Sequence, residues 1–107
     1  MGSTITRTNI RDARPLIRNR EAFAAGGNAY GESNFRGGFL IEDGTGRLNA
    51  EEAMEYSVAM LSIDYVIRSY GTPIAWHNDN GWYVVEQKFS SSTSRHQSAV
   101  RLAIAGI

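Results

Sequence analysis

The chemistry-bearing residues crowd around Ser94-Arg95-His96-Gln97. Ser94 with Gln97 three residues later is a capping-box pattern, so this stretch reads as the start of a helix with Ser94 at the cap. Free backbone N–H groups at such a start make an anion site. Arg95 would then be the first helical residue, where the dipole disfavours a cation; an anion arriving there would explain the choice. Thr93 and His96 flank it with a hydroxyl and an imidazole. Catalysis is the competing chemistry, because the hydroxyls of Ser90 to Ser94 lie close to His96. A Ser–His hydrolase needs a nucleophile elbow and an orienting acid, and neither signature is present. The serine run is more simply a linker ending in a cap. Asp79 and Glu86 form no pair that spacing fixes, and no phosphate-binding glycine fingerprint occurs. His77 and His96 stand 19 residues apart with no helical partner carboxylate, so no metal site is expected.

A second group surrounds Asn80-Gly81. His77, Asn78, Asp79 and Asn80 would sit at a hairpin tip, with donors and acceptors for a base edge or a ribose. Tyr70, Trp76, Trp82 and Tyr83 offer flat faces on which a base could stack. The plainer readings are turn residues for the asparagines and core for the tryptophans.

The elements that must position these residues follow from periodicity and punctuation. Residues 1–9 read as a polar, flexible start. A short helix is expected over 10–20, with Ile10, Leu16 and Ile17 on one side and Pro15 in its first turn. Residues 21–25 read as a short strand. Residues 26–47 hold seven of the eleven glycines and read as a long loop. Asn49 caps a helix over about 50–62, with Glu51 and Glu52 in its first turn and Met54, Val58 and Leu61, with Ala53 and Met60, as its inward stripe. From Ile63 the period becomes two, and about 63–90 reads as an antiparallel three-stranded meander with breaks at Gly71-Thr72-Pro73 and Asn80-Gly81. A last helix is expected over about 94–105, with Ala99, Val100, Ala103 and Ile104 inward. The fold class is α+β, in a single domain over 1–107.

Composition sets the outer limits. The 107 residues carry eleven acids, eleven bases and no cysteine. Neutrality argues against gripping long nucleic acid by overall charge, and the lack of thiols excludes disulfide scaffolds and cysteine-based metal sites. No apolar run approaches the roughly 18 residues of a membrane span, and no signal-peptide core opens the chain, so a cytosolic protein is expected. The charge is uneven. Residues 1–20 carry five arginines against Asp12, and residues 41–60 carry five acids against Arg47. A positive start and a negative middle suggest pairing within a subunit or between subunits, to form a homo-oligomer.

The run Tyr65-Val66-Ile67-Arg68-Ser69-Tyr70-Gly71-Thr72-Pro73-Ile74-Ala75-Trp76-His77, followed by Trp82-Tyr83-Val84-Val85 and Ser92-Thr93-Ser94-Arg95-His96-Gln97, resembles a class of small proteins of phages and their actinobacterial hosts. More distantly it is similar to the Thoeris anti-defence sponge proteins of phages. The resemblance covers about residues 63–97. It implies a non-enzymatic viral protein, without cofactor, that binds an immune signalling nucleotide such as a cyclic ADP-ribose isomer or a cyclic oligonucleotide and holds it intact. It implies a dimer or hexamer in the host cytoplasm. It carries Arg95 over as the phosphate- or adenine-contacting arginine and Asn78-Asp79-Asn80 as ribose or base contacts. Arg14 or Arg18 would close the site from a neighbouring subunit. The segment before Arg95, Phe89-Ser90-Ser91-Ser92, departs from the class pattern, which leaves ligand identity open. The alternative is a small protein-binding inhibitor of a host defence or nucleic-acid enzyme, of the anti-CRISPR kind.

Overall fold

The computed structural model describes residues 6–25, 28–33 and 44–105. Six strands and three helices follow in the order β1 (Thr6–Thr8), α1 (Arg14–Arg18), β2 (Phe23–Ala25), β3 (Ala29–Ser33), α2 (Ala50–Ala59), β4 (Tyr65–Ser69), β5 (Thr72–Asn78), β6 (Gly81–Val84) and α3 (Ser91–Ala105). The strands form one sheet in sequence order. β1 and β2 are parallel, joined by a crossover through α1, and every other neighbouring pair is antiparallel.

The fold is α+β, and the expected meander is the β4–β5–β6 half of a wider sheet. Several stretches differ from their sequence reading. The helix expected over 10–20 is confined to Arg14–Arg18, with turns on either side. Thr6–Thr8, in the start expected to be flexible, pairs with β2. The glycine-rich stretch contains β3, whose five residues pair with β4; residues 34–43 of that expected loop lie outside the described residues. β3 tolerates Gly31 because Phe23 and Tyr65 close over the place a side chain would fill. Residues 85–90 do not prolong the last strand.

Both hairpin turns follow local chemistry. Tyr70 (φ 52°) and Gly71 (φ 82°) make a two-residue left-handed turn between β4 and β5. Tyr70 is a bulky residue in a region that costs it about 1–3 kcal/mol, and its N–H is held by the Asn28 carbonyl at 2.8 Å. The turn into β6 uses Gly81 at φ 107°, with Asn78 accepting from the Asn80 N–H at 2.9 Å. Asn49 caps α2 as expected, accepting from the Glu52 N–H at 2.9 Å. α3, however, begins three residues earlier than expected. The Ser90 hydroxyl accepts from the Thr93 N–H at 3.4 Å, so Ser90 takes the cap position assigned to Ser94. Five hydroxyl residues in a row make the cap ambiguous in sequence.

Helices cover both sheet faces, so the central strands are buried at nearly every position. On the α1/α3 face, Ile17, Phe23, Tyr65, Ile67, Ile74, Val100 and Ala103 form the core. On the α2 face, Tyr56, Ile63, Val66, Trp76 and Val85 do. Most of the inward stripe expected of α2 points outward: Met54 is 66%, Val58 75% and Leu61 98% exposed, while Met60 does pack against this core and Ala53 is half-buried. The reason is polar anchoring of the other side. The buried Glu52 carboxylate accepts from the Tyr83 hydroxyl and from the Glu86 N–H at 3.0 Å. Tyr56 packs edge-on against Trp76 at 5.1 Å and accepts from buried Arg68 at 2.9 Å.

Candidate functional site

α1 and α3 lie side by side on one face of the sheet, tied by Arg18, whose Nε donates to the Ala103 carbonyl at 2.9 Å. Between the turn preceding α1 and the outer face of α3 is a cleft of about 550 Å³. Its lining includes the apolar residues Ile10, Ala99 and Leu102 and the arginines Arg11, Arg14 and Arg95. The α1 side is held firmly. Asn9 accepts from the Asp12 N–H and donates to the Asp12 carboxylate, both at 2.8 Å, and the Ala13 N–H closes on the Asn9 carbonyl at 3.0 Å. Asp12 lines the same cleft, so one acid stands among three arginines.

Arg14 adds a sign of an absent partner. Among the described residues its Nε is buried without a hydrogen-bond partner, as is that of Arg20 outside the cleft. A buried donor left unmade costs about 1–3 kcal/mol, more for a charged group, so such atoms call for an explanation. With Asp12 as the one acid among them, the three arginines leave the cleft with an excess of positive charge that an anion would offset.

Beside the cleft is a second cluster. Ser69, at the end of β4, has its hydroxyl 2.7 Å from His96 Nδ1 and 3.1 Å from the Thr93 hydroxyl. The ring of Tyr70 stacks on His96 at 6.2 Å, inclined 29°. Burial, with Arg95 adding its charge, holds the imidazole below its ordinary pKa of 6.5. His96 is therefore neutral near pH 7, with Nδ1 engaged inward. Ser69 is 1% exposed. Among the described residues no carboxylate is hydrogen-bonded to His96, so the pair lacks the orienting acid of a hydrolytic triad.

The structure thus unites Arg14 and Arg95 in one chain, without a neighbouring subunit, and places Tyr70, Thr93 and His96 next to them. Ser94 lies in the first turn of α3 and Arg95 one turn inside it, so the conflict between Arg95 and the helix dipole disappears; its place in the cleft rests on the α3 face it occupies. Arg18 is committed to Ala103. Trp76 is 2% exposed and sits between Tyr56 and Tyr83, so its faces are closed to a ligand. His77 pairs with Asp64 at 2.9 Å, and Asn78, Asp79 and Asn80 lie at the far end of β5 from Tyr70. Six residues of strand, roughly 20 Å, separate the two ends, so the hairpin tip does not join the arginines.

Sequence reasoning missed Ser69, which falls within the resembling run but has no local signal, and Arg11, whose neighbours Asn9 and Asp12 signal a turn. It also missed an acidic hollow of about 440 Å³ on the opposite face, formed by Glu51, Glu52, Glu55, Met54 and Tyr83. Burial and this carboxylate surround push the Tyr83 phenol well above its ordinary range. Among the described residues no group of acids and histidines has metal-site geometry, and no helix is long and apolar enough to cross a membrane.

The chain belongs to a family of unknown function (DUF8033), whose model matches residues 11–102. That span runs from Arg11 to Leu102 and so includes all three arginines of the cleft. No curated protein and no solved structure matches the chain.

Proposed function

We propose that the protein is a non-catalytic binder of a small phosphate-bearing nucleotide, held in the cleft between α1 and α3. The observation that carries this reading is the buried, unpartnered Nε of Arg14 in a cleft shared with Arg11 and Arg95. A planar guanidinium suits phosphate, and three of them suit a ligand with more than one phosphate. The apolar walls suit the body of a base, and about 550 Å³ falls within the range of small-molecule sites. Neutral His96 and the Tyr70 ring stand ready beside Arg95 as polar and stacking contacts.

The resemblance to phage sponge proteins narrows the ligand to a cyclic nucleotide or a cyclic ADP-ribose isomer made in host defence. Function is then sequestration in the host cytoplasm, with no turnover. Native mass spectrometry against a panel of cyclic dinucleotides, cyclic trinucleotides and cyclic ADP-ribose isomers tests it. The expected result is a bound ligand released by heat with its mass unchanged. Arg95→Ala should weaken binding by the loss of a charged donor, about 1.5–3 kcal/mol. A ligand of altered mass would make the protein an enzyme, and no binding across the panel would remove the nucleotide reading. A second reading, inhibition of a host protein by direct docking, is favoured by the outward apolar ridge of α2.

A further inference from the structure

α2 is inverted relative to an ordinary surface helix. Glu52 and Tyr56 of this helix face the core, while Met54 and Val58, with Leu61 in the turn that follows the helix, stand 66%, 75% and 98% exposed. An apolar row along one helix face marks an interaction surface. The charges flanking it are Glu51 and Glu55, and α2 contains no base. On the other face of the sheet, the cleft between α1 and α3 has the inverse character: apolar walls, with Leu102 55% exposed, ringed by Arg11, Arg14 and Arg95. The sheet stands between ridge and cleft, so one chain cannot fill its own cleft with its own ridge. A second copy can, and the two surfaces carry opposite charge, Glu51 and Glu55 on one and Arg11, Arg14 and Arg95 on the other.

We infer that copies of this chain associate head to tail, the α2 ridge of one seated in the arginine-ringed cleft of the next. The contact joins two different surfaces, so it generates a ring where the rotation closes and a chain where it does not. It rests on the shape and charge of the cleft and not on the nucleotide reading. Phosphate and the carboxylates of Glu51 and Glu55 would compete for the same guanidinium groups.

Two variants, each with one surface disabled, test the inference by native mass spectrometry and sedimentation velocity. Val58→Asp disables the ridge, with Leu61→Asp as a second version; both positions are exposed, so the fold is retained. Arg11→Glu with Arg95→Glu disables the cleft, again at exposed positions. The unsubstituted chain should form multimers that salt loosens. Each variant alone should be monomeric. Their mixture should give a one-to-one dimer, since each supplies the surface the other lacks. A wild-type protein that stays monomeric overturns the inference, as do multimers that survive Val58→Asp. A mixture that stays monomeric overturns it too. If the cleft variant alone still forms dimers, the ridge pairs with itself and the head-to-tail contact is wrong. Ligand titration of monomeric Val58→Asp, which keeps its cleft, reports on the nucleotide reading separately.

Discussion

The two faces of the sheet are built by opposite rules. On the α1/α3 face, aliphatic and aromatic side chains interlock under the helices, and the charged groups stand outside as a ring of arginines. On the α2 face, Glu52 and Arg68 fasten the helix from within beside the Tyr56–Trp76 core, and the apolar side chains of Met54 and Val58 stand outside. Arg68 is the centre of that second arrangement. At 1% exposure it pairs with Glu32 at 2.9 Å, donates to the carbonyls of Gly44 and Gly71 and to the Tyr56 hydroxyl, each at 2.9 Å, and lies over the Tyr56 ring at 5.6 Å. One side chain thereby links β3, the β4–β5 turn, the segment before α2 and α2 itself. Apolar packing tolerates exchange among residues of like size. A buried charge with several partners favours one arrangement, and the arrangement is weakened when a partner is removed.

The largest expected effect is therefore on the α2 face. Arg68→Ala should cost about 3–5 kcal/mol, because it empties the site and leaves a carboxylate, a phenol and two carbonyls without their donor. Urea denaturation measures it. A loss under about 1 kcal/mol would show that α2 is held by packing alone. Glu32→Gln should cost less, about 1–2 kcal/mol, since Glu32 is 28% exposed and Arg68 keeps its other acceptors. The matching probe of the α1/α3 face is Gly31→Ala. The added methyl group would run into the Phe23 ring at 2.6 Å and also meet the Tyr65 hydroxyl, which donates to the Glu21 carbonyl at 2.8 Å. Overpacking of this kind costs about 1–3 kcal/mol, and an unchanged melting curve would show that this face is looser than its burial implies.

A smaller effect is expected with pH, also on the α1/α3 face. His96 is held below its ordinary pKa of 6.5, first by burial and then by Arg95. The unfolded chain takes up the proton more readily than the folded one, so the stability this group confers is complete above about pH 6.5 and is lost as pH falls toward the folded value. Arg95→Ala removes the second cause. It should raise the His96 midpoint in an NMR titration and soften the acid loss of stability. An unmoved midpoint would separate Arg95 from the Ser69–His96 cluster.

What could be read from the sequence was local. Asn49 caps its helix through its own side chain, Asn80-Gly81 sets its hairpin, and Ala99, Val100 and Ala103 do face inward. What could not be read depends on partners distant in the chain. Glu52 is inside because Tyr83 and the Glu86 backbone meet it, and Tyr56 is inside because Arg68 and Trp76 do. No property of residues 50–62 contains those partners, and hydrophobicity alone turned the helix the wrong way round. β3 was hidden by Gly31, its small residues and the glycine-rich stretch around it, and gains its place from pairing with β4. At the candidate site, Arg95 and Arg14 were each visible as residues. Their meeting in one chain was not, because the packing of α1 against α3 sets it.

The smallest expected effect is the sharpest test of the inverted helix. At Val58→Ser, an ordinary amphipathic helix would lose about 1–2 kcal/mol of buried apolar surface. Here Val58 is 75% exposed, so the substitution should change the stability of the isolated monomer by no more than about 0.5 kcal/mol. Measured by urea denaturation in high salt at low protein concentration, where self-association is weakest, a loss above 1 kcal/mol would mean that Val58 faces the core and that Glu52 and Tyr56 do not. At high concentration the same substitution should lower the apparent melting temperature, because a chain that buries its ridge in a second copy is stabilised by that copy through mass action. The pair of measurements separates a helix stabilised from within its own chain from one completed by another.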